Sequence, residues 1–196
     1  MLGEIHEFLK KEFQFAFQAK LAAMGISRDG LTNVANATFK GNVNGKEADM
    51  AFRPDKDSAG EERFWPTLAI ECAVSESRKR LKVDACWWFG NSNPPEDVKI
   101  VLLFYACRVS RRIRIEKWEM RNVPNPSPTR AYSGDERPSP TNIHEVDIIG
   151  GSVTGAPLIL EFGKIFLRQP DPGQGDIIFT EHDLVAYATE VRKVMQ

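Results

Sequence analysis

Two short stretches of nearly continuous apolar residues place the strongest constraint on how this chain of 196 residues folds. One runs over residues 67–74 and the other over 98–107, and neither shows polar residues at every second position. Such runs are typical of central β-strands that are covered on both faces. Between them, residues 77–90 carry an apolar stripe at helical spacing, with Ser75 as the expected cap. The sequence therefore predicts an α/β fold in which a mixed central β-sheet is flanked by helices.

The remaining segments extend this architecture into one domain over residues 1–196. A helix is predicted over 2–24, where apolar residues recur every three or four positions and Gly25 follows as a stop. Residues 34–53 are predicted to form a β-hairpin that turns at Asn44-Gly45. Further strands are expected over 113–120, 144–149 and 157–167, and a last helix near 180–195 begins at Thr180. Residues 123–142 contain five prolines and are predicted to be a long exposed loop.

Composition and charge exclude several classes of protein. Hydrophobic residues make up 42% and charged residues 27% of the chain, which indicates an ordinary globular protein. The net charge of -1 argues against coating nucleic acid by bulk charge but leaves room for a local basic patch. The chain has no apolar run near the roughly 20 residues of a membrane helix and no basic-then-apolar leader, so we expect an intracellular protein that is not secreted. Its three cysteines form no CxxC pair, which argues against a zinc site or a disulfide framework.

Two carboxylates stand out by their sequence context. Glu71 interrupts the apolar strand 67–74, and Asp49 lies on the second strand of the predicted hairpin. Burying a carboxylate is costly unless it is paired, hydrogen-bonded or bound to a metal. If the two strands are neighbours, both carboxylates and a backbone carbonyl make an oxygen-rich site for Mg²⁺ or Mn²⁺. The alternatives are that Glu71 is a structural carboxylate held by an arginine or by backbone amides, and that Asp49 is an exposed charge at a strand end.

The sequence motifs around these carboxylates resemble those of a known superfamily. An Asp on a hairpin strand, followed about twenty residues later by a Glu in an apolar strand, resembles the PD-(D/E)XK, or restriction-endonuclease-like, superfamily. The wider pattern is similar to a group of mostly fungal members, and it comprises Glu47-Ala48-Asp49, Arg53-Pro54, the segment Trp65 to Glu71, and Asp84 to Trp88. The core of the superfamily would map onto residues 2–24, 34–53, 67–74, 77–90 and 98–107.

This resemblance implies a metal-dependent nuclease that acts on DNA or RNA with Mg²⁺ or Mn²⁺. Asp49 and Glu71 would bind the metal, with the Cys72 carbonyl as a further ligand and Glu7, or else Glu12, as a supporting acid on the first helix. The superfamily places a catalytic lysine two residues after the Glu, where this chain has Ala73. Lys82 is then the first candidate for a displaced lysine, ahead of Lys79 and Lys99, although a solvated lysine on a helix has the same appearance.

Two functional hypotheses follow from the sequence. The first is a nuclease of this type, with Asp49, Glu71 and Lys82 in catalysis. The second is a catalytically degenerate protein of the same fold that acts as a binding or dimerisation module, and the alanine at position 73 favours it. A homodimer is compatible with either hypothesis.

Overall fold

Four helices and eleven strands make up the computed structural model, which describes residues 2–27, 30–35, 37–56, 59–74, 78–92, 97–128 and 133–195. The helices are α1 (Leu2–Ala23), α2 (Arg78–Asn91), α3 (Phe162–Phe166) and α4 (Glu181–Arg192). The strands are β1 (Thr32–Asn33), β2 (Phe39–Lys40), β3 (Gly45–Lys46), β4 (Met50–Arg53), β5 (Leu68–Val74), β6 (Ile100–Cys107), β7 (Arg112–Pro124), β8 (Glu136–Ile149), β9 (Ser152–Thr154), β10 (Leu158–Leu160) and β11 (Ile177–Phe179). No helix in the described ranges is both long and apolar enough to span a membrane.

The central sheet is mixed, as the sequence predicts. Its seven strands lie in the order β1-β4-β5-β6-β7-β8-β9. The β5 and β6 strands run parallel and are joined through α2, whereas the other neighbours in the sheet are antiparallel. These two parallel strands are the two apolar runs of the sequence, and they are buried because helices cover both of their faces.

Alternation along the strands divides the core into two layers. The residues of β5 that face α1 and α4 are Leu68, Ile70 and Cys72, and they join the larger apolar cluster. Ala69 faces α2 in the smaller cluster, together with Leu81, Ala85 and Trp88. Since successive side chains of a strand point to opposite faces, Glu71 lies on the α2 face with Ala69.

The predicted hairpin over 34–53 is wrong in its extent. The β2 and β3 strands form a separate two-stranded sheet in which Lys40 pairs with Gly45, so the connection comprises residues 41–44 rather than the Asn44-Gly45 pair. The following strand, β4, instead enters the central sheet between β1 and β5. Its side chains Met50, Ala51 and Phe52 are buried there, which a two-stranded hairpin does not provide.

The predicted exposed loop over 123–142 is also wrong in its extent. The β7 strand continues to Pro124 and β8 begins at Glu136, and the two pair in register from Trp118 and Asn142 out to Pro124 and Glu136. Part of the connecting segment, residues 129–132, lies outside the described residues. The β7 and β8 strands therefore form a long antiparallel pair, although residues 133–138 are exposed as expected.

Two smaller predictions differ from the structure at the carboxyl-terminal end and at α2. The strand predicted over 157–167 stops at Leu160, and the short helix α3 follows it. The last helix starts where the sequence predicts, with Thr180 as its N-cap. The cap predicted for α2 at Ser75 lies outside the described residues.

Candidate functional site

Asp49 and Glu71 lie beside each other at the edge of the α2 face of the sheet. Asp49 directly precedes β4, and Met50 pairs with Ile70 in the antiparallel register. One further step along this register brings Asp49 next to Glu71. Both residues line the same cleft, which has a volume of about 490 Å³. The structure thus brings together the two carboxylates that the sequence singles out.

The Asp49 carboxylate is held from two sides. Its Oδ2 atom accepts a hydrogen bond of 2.7 Å from the backbone N–H of Cys72, and its Oδ1 atom lies 3.1 Å from Nε2 of His6 on α1. Burial raises the pKa of Asp49, but the contacts from His6 and from the Cys72 N–H outweigh burial and hold this pKa below its usual value. The hydrogen bond to Asp49 in turn raises the pKa of His6. Asp49 is therefore ionised and fixed in orientation.

The Glu71 carboxylate is almost completely buried, with 6% of the residue exposed. Its Oε1 atom accepts a hydrogen bond of 2.7 Å from the indole Nε1 of Trp88 and lies 3.3 Å from the ammonium of Lys46. Burial raises the pKa of Glu71 to about 7, even though Lys46 and the Trp88 N–H both lower it. The partners that the sequence analysis considered for a structural Glu71, an arginine or backbone amides, are therefore not the ones in these contacts.

Lys46 is the cation of this cleft that contacts Glu71, and it is not among the lysines that the sequence indicated. Its Nζ atom lies 2.6 Å from Oδ1 of Asp84 as well as 3.3 Å from Glu71. Lys46 belongs to β3, and Asp84 to α2. Its place three residues before Asp49 is the one available signal in the sequence, but only the path of the hairpin shows where the side chain ends.

The lysines that the sequence analysis proposed lie elsewhere. The ammonium of Lys82 is 5.8 Å from the ring centroid of Trp118, on the part of the sheet beyond β6. The ammonium of Lys99 is 2.6 Å from Asp97, and Lys79 is exposed on α2. None of these three residues lines the cleft of Asp49 and Glu71. The structure therefore does not bring Lys82 to the carboxylates, because helical phase turns it toward β7.

The supporting acid predicted on the first helix is likewise not in contact with Glu71. Glu7 is exposed and pairs with Lys10 at 2.7 Å, an ion pair that lowers the pKa of Glu7. It lines a second cleft of about 530 Å³, which shares Asp49 with the first. Glu12 lies one turn further on and lines a groove between α1 and α4. The α1 residue that reaches Asp49 is His6.

Cys72 contributes its backbone to the site and its side chain to the core. The N–H donates to Asp49, while the buried thiol belongs to the apolar cluster beneath α1 and has a pKa raised by burial.

Within the described residues, no group of three or more His, Cys, Asp and Glu side chains is arranged to hold a metal ion. The described contacts to Asp49 and Glu71 therefore come from the His6 imidazole, the Cys72 backbone N–H, the Lys46 ammonium and the Trp88 indole N–H.

Comparison with solved structures shows a similarity in fold. No family model matches the chain, and no curated protein matches it. The fold is similar to the crystal structure of a "putative nuclease belonging to DUF820" from Anabaena variabilis, with a TM-score of 0.45 and 7% sequence identity. The alignment covers 94% of this chain and 82% of the other.

Proposed function

We propose that this protein is a metal-dependent phosphodiesterase of PD-(D/E)XK type that acts on nucleic acid. The observation that carries the proposal is the pairing of Asp49 and Glu71 on neighbouring segments of one cleft, with Lys46 against Glu71. The resemblance of the sequence motifs to that superfamily also supports metal-dependent phosphodiester hydrolysis. The substrate is proposed as DNA or RNA, since both present the same phosphodiester group.

The donor atoms fit Mg²⁺ or Mn²⁺. These ions prefer oxygen ligands, and Mg²⁺ is commonly held by one or two carboxylates while it keeps several waters. Asp49 and Glu71 supply two such carboxylates. Burial raises the pKa of Glu71 to about 7, because Lys46 and Trp88 compensate only part of the cost of burying the ionised carboxylate. A bound cation would lower this cost further. When bound, the ion supplies positive charge for the phosphoryl oxygens and lowers the pKa of water.

The side chains of this chain have separate tasks in the proposed reaction. Hydrolysis forms a bond from a water oxygen to phosphorus and breaks the bond from phosphorus to the leaving oxygen. Asp49 and Glu71 would hold the metal, and the Cys72 N–H and His6 keep Asp49 in one orientation. Lys46 would stabilise the negative charge that develops on the phosphoryl group. It would take the role that the resemblance assigns to a lysine at position 73.

The test is cleavage of a panel of single- and double-stranded DNA and RNA with Mg²⁺ or Mn²⁺. We expect Asp49→Asn and Glu71→Gln each to reduce cleavage at least about 100-fold, because each removes a carboxylate that the transition state requires. Glu190→Gln is the matched control, since Glu190 lies on α4, does not line the cleft of Asp49 and Glu71, and pairs only with Lys193 in the described contacts. Cleavage that persists in both site variants would contradict the proposal.

A second candidate, a nuclease-fold binding module without catalysis, is favoured by one observation. Lys46 bridges Glu71 and Asp84, so a protein cation already compensates the buried carboxylate in part. The alanine at position 73, where the superfamily has a lysine, also favours the binding module. A ligand that binds the native state raises its stability, so a thermal midpoint that does not change between EDTA and millimolar Mn²⁺ would favour the binding module over the enzyme.

A further inference from the structure

The β2–β3 hairpin is a separate unit that rests on the rest of the molecule. Each of its strands has two residues, and they pair with each other but not with the central sheet. A two-stranded hairpin is at best marginally stable by itself. Its position is therefore decided by the surfaces on which it packs.

One of those surfaces is the carboxyl-terminal half of α2. The indole Nε1 of Trp87 donates a hydrogen bond of 2.7 Å to Oδ1 of Asn44. The backbone N–H of Asn42 donates one of 2.9 Å to Oδ1 of Asn91. These two side chains of α2, four residues apart, thus hold the connection between β2 and β3. We call Trp87 and Asn91 the hairpin seat.

Gly41 allows the hairpin to approach this seat closely. A Cβ atom built on Gly41 would lie 2.8 Å from Cζ2 of Trp87 and 2.8 Å from Cγ of Asn91. Both distances are shorter than ordinary van der Waals contact, so a side chain at position 41 forces the hairpin, or the Trp87 and Asn91 side chains of its seat, to move. The constraint here is space, since Gly41 is not among the residues with positive φ.

The same hairpin carries Lys46 into the cleft. Lys46 pairs with Phe39 in the β2–β3 register, and Phe39 packs against Trp88, with 5.4 Å between the ring centroids. At the end of this arrangement the Lys46 ammonium lies 3.3 Å from Glu71. A shift of the hairpin on its seat would therefore move Lys46, whereas Asp49 and Glu71 stay with β4 and β5.

We propose that the β2–β3 hairpin is a positioning element, and that its seat on α2 fixes the Lys46 ammonium against Glu71 and thereby sets the rate of phosphodiester cleavage. The catalytic part of this inference rests on the proposed function. Trp87, Asn91 and Gly41 are positioning residues, since they act through Lys46 and do not line the cleft.

The first experiment measures the position of Lys46 without any substrate. Wild-type protein and Gly41→Ala are treated with a low concentration of an acetylating reagent, and the acetylation of each lysine is followed by mass spectrometry. Lys46 is protected by its two carboxylate partners, while Lys79 is exposed and serves as the internal reference. We expect acetylation of Lys46 relative to Lys79 to be at least threefold faster in Gly41→Ala. Gly90→Ala is the matched control, because a Cβ on this α2 glycine meets open space.

The second experiment measures cleavage with the same proteins. A displacement of about 1 Å from the productive geometry costs about 100-fold in rate, so we expect kcat of Gly41→Ala to fall about 10- to 100-fold. KM and the Kd for Mn²⁺ should not change, because both carboxylates remain in place. Should Gly41→Ala fail to fold, Trp87→Phe removes the N–H donor to Asn44 while keeping an aromatic ring in the seat, and its expected effects have the same direction.

The outcomes separate the two proposals. If wild type cleaves nucleic acid but neither seat variant changes Lys46 acetylation or kcat, the inference is overturned and the proposed function stands. If a seat variant changes KM or the Kd for Mn²⁺ as much as kcat, the seat is a general structural support and the inference is also overturned. If wild type cleaves nothing, the proposed function fails together with the catalytic part of the inference, and the acetylation rates alone decide whether the seat holds Lys46.

Discussion

Glu71 is a carboxylate whose protonation depends on its surroundings more than on its own chemistry. It stands in a strand of apolar residues and its Oε1 atom meets one indole N–H and one ammonium. Those two donors stabilise the ionised form, but the loss of water around a nearly buried carboxylate outweighs them and raises its pKa to about 7. Near neutral pH, the metal-free protein is therefore a mixture of both protonation states at this residue.

This raised pKa predicts that the metal-free protein loses stability as pH increases from about 4.5 to about 7. In that range the folded state holds a proton on Glu71 that the unfolded state has already released, so the free energy of unfolding decreases with pH. A shift of this size corresponds to about 3 kcal/mol, present in full below pH 4.5 and lost above pH 7. Urea unfolding in EDTA at pH 4.5, 6 and 7.5 measures it. Glu71→Gln should show a smaller decrease over this range, and an equal decrease in both proteins would contradict the assignment.

His6 shows that a difference of one position along a helix decides which side chain contacts Asp49. Adjacent residues on a helix point about 100° apart, so His6 and Glu7 of α1 face different directions. The resemblance favoured an acid on this helix and hence Glu7. The structure turns His6 to Asp49 and leaves Glu7 with Lys10.

At the scale of elements, the β7–β8 hairpin shows why prolines misled the sequence analysis. Pro138 and Pro140 lie in β8 and pair with Asn122 and Met120 of β7. On the side of β8 away from β7, only residues 147–149 pair with a further strand, β9. Along residues 136–146 this side of β8 is therefore an edge of the sheet. Edge strands tolerate proline because one side of the strand needs no backbone donors. Five prolines in twenty residues therefore indicate either a loop or an edge strand, and neighbouring strands decide between them.

The α4 helix shows the opposite case, in which local chemistry is sufficient. Thr180 accepts a hydrogen bond from the backbone N–H of Asp183, and Asp183 accepts one from the N–H of Thr180, which forms a capping box. Lys20 of α1 also donates to Asp183, at 2.8 Å. A four-residue pattern that the sequence alone displays is therefore used both within the helix and between helices.

We expect Thr180→Ala to lower the free energy of unfolding by about 1 kcal/mol, because it leaves a backbone N–H of the first helical turn without its acceptor. Chemical unfolding in urea measures this loss. Thr189→Ala is the control, since Thr189 lies in the interior of the same helix, is exposed, and bonds only to Val185 in the described contacts. Equal losses for the two variants would show that the cap contributes nothing specific.

At the scale of the whole molecule, α1 links the core to the candidate site. Phe13 packs against rings from three other elements: Phe104 of β6 at 4.8 Å, Phe179 of β11 at 5.1 Å and Tyr187 of α4 at 6.4 Å between centroids. The amino-terminal part of the helix carries His6 to Asp49 and lines both clefts that meet there. Packing of α1 on the sheet thus sets the position of one wall of the site.

Phe13→Ala should lower the free energy of unfolding by about 3–5 kcal/mol, since it removes a fully buried ring that contacts three elements. Phe15→Ala is the matched control on the same helix, because Phe15 is 71% exposed, and its change should stay within about 0.5 kcal/mol. Thermal and urea unfolding measure both. If the two variants lost similar stability, the cluster around Phe13 would not be the anchor of α1.

The sequence by itself determined the features that depend on local periodicity. The apolar runs of β5 and β6, the stripe of α1, the cap of α4 and the odd position of Glu71 in an apolar strand are all evident in neighbouring residues, because burial and capping leave patterns of two to four positions. The pairing of Asp49 with Glu71 was also predictable, since it required only that two strands consecutive along the chain also lie side by side in the sheet. The resemblance added the chemistry that such a pair supports.

Only the tertiary structure decided which other side chains reach those carboxylates. Lys46, Asp84, His6 and Trp88 come from a hairpin and two helices, and nothing in their local sequence records where each side chain ends. Contacts between distant elements depend on packing angles, helical phase and the close approach that Gly41 permits, and small changes in any of these exchange one residue for another. For this reason the sequence indicated Lys82 and Glu7, whereas the structure brings Lys46 to Glu71 and His6 to Asp49.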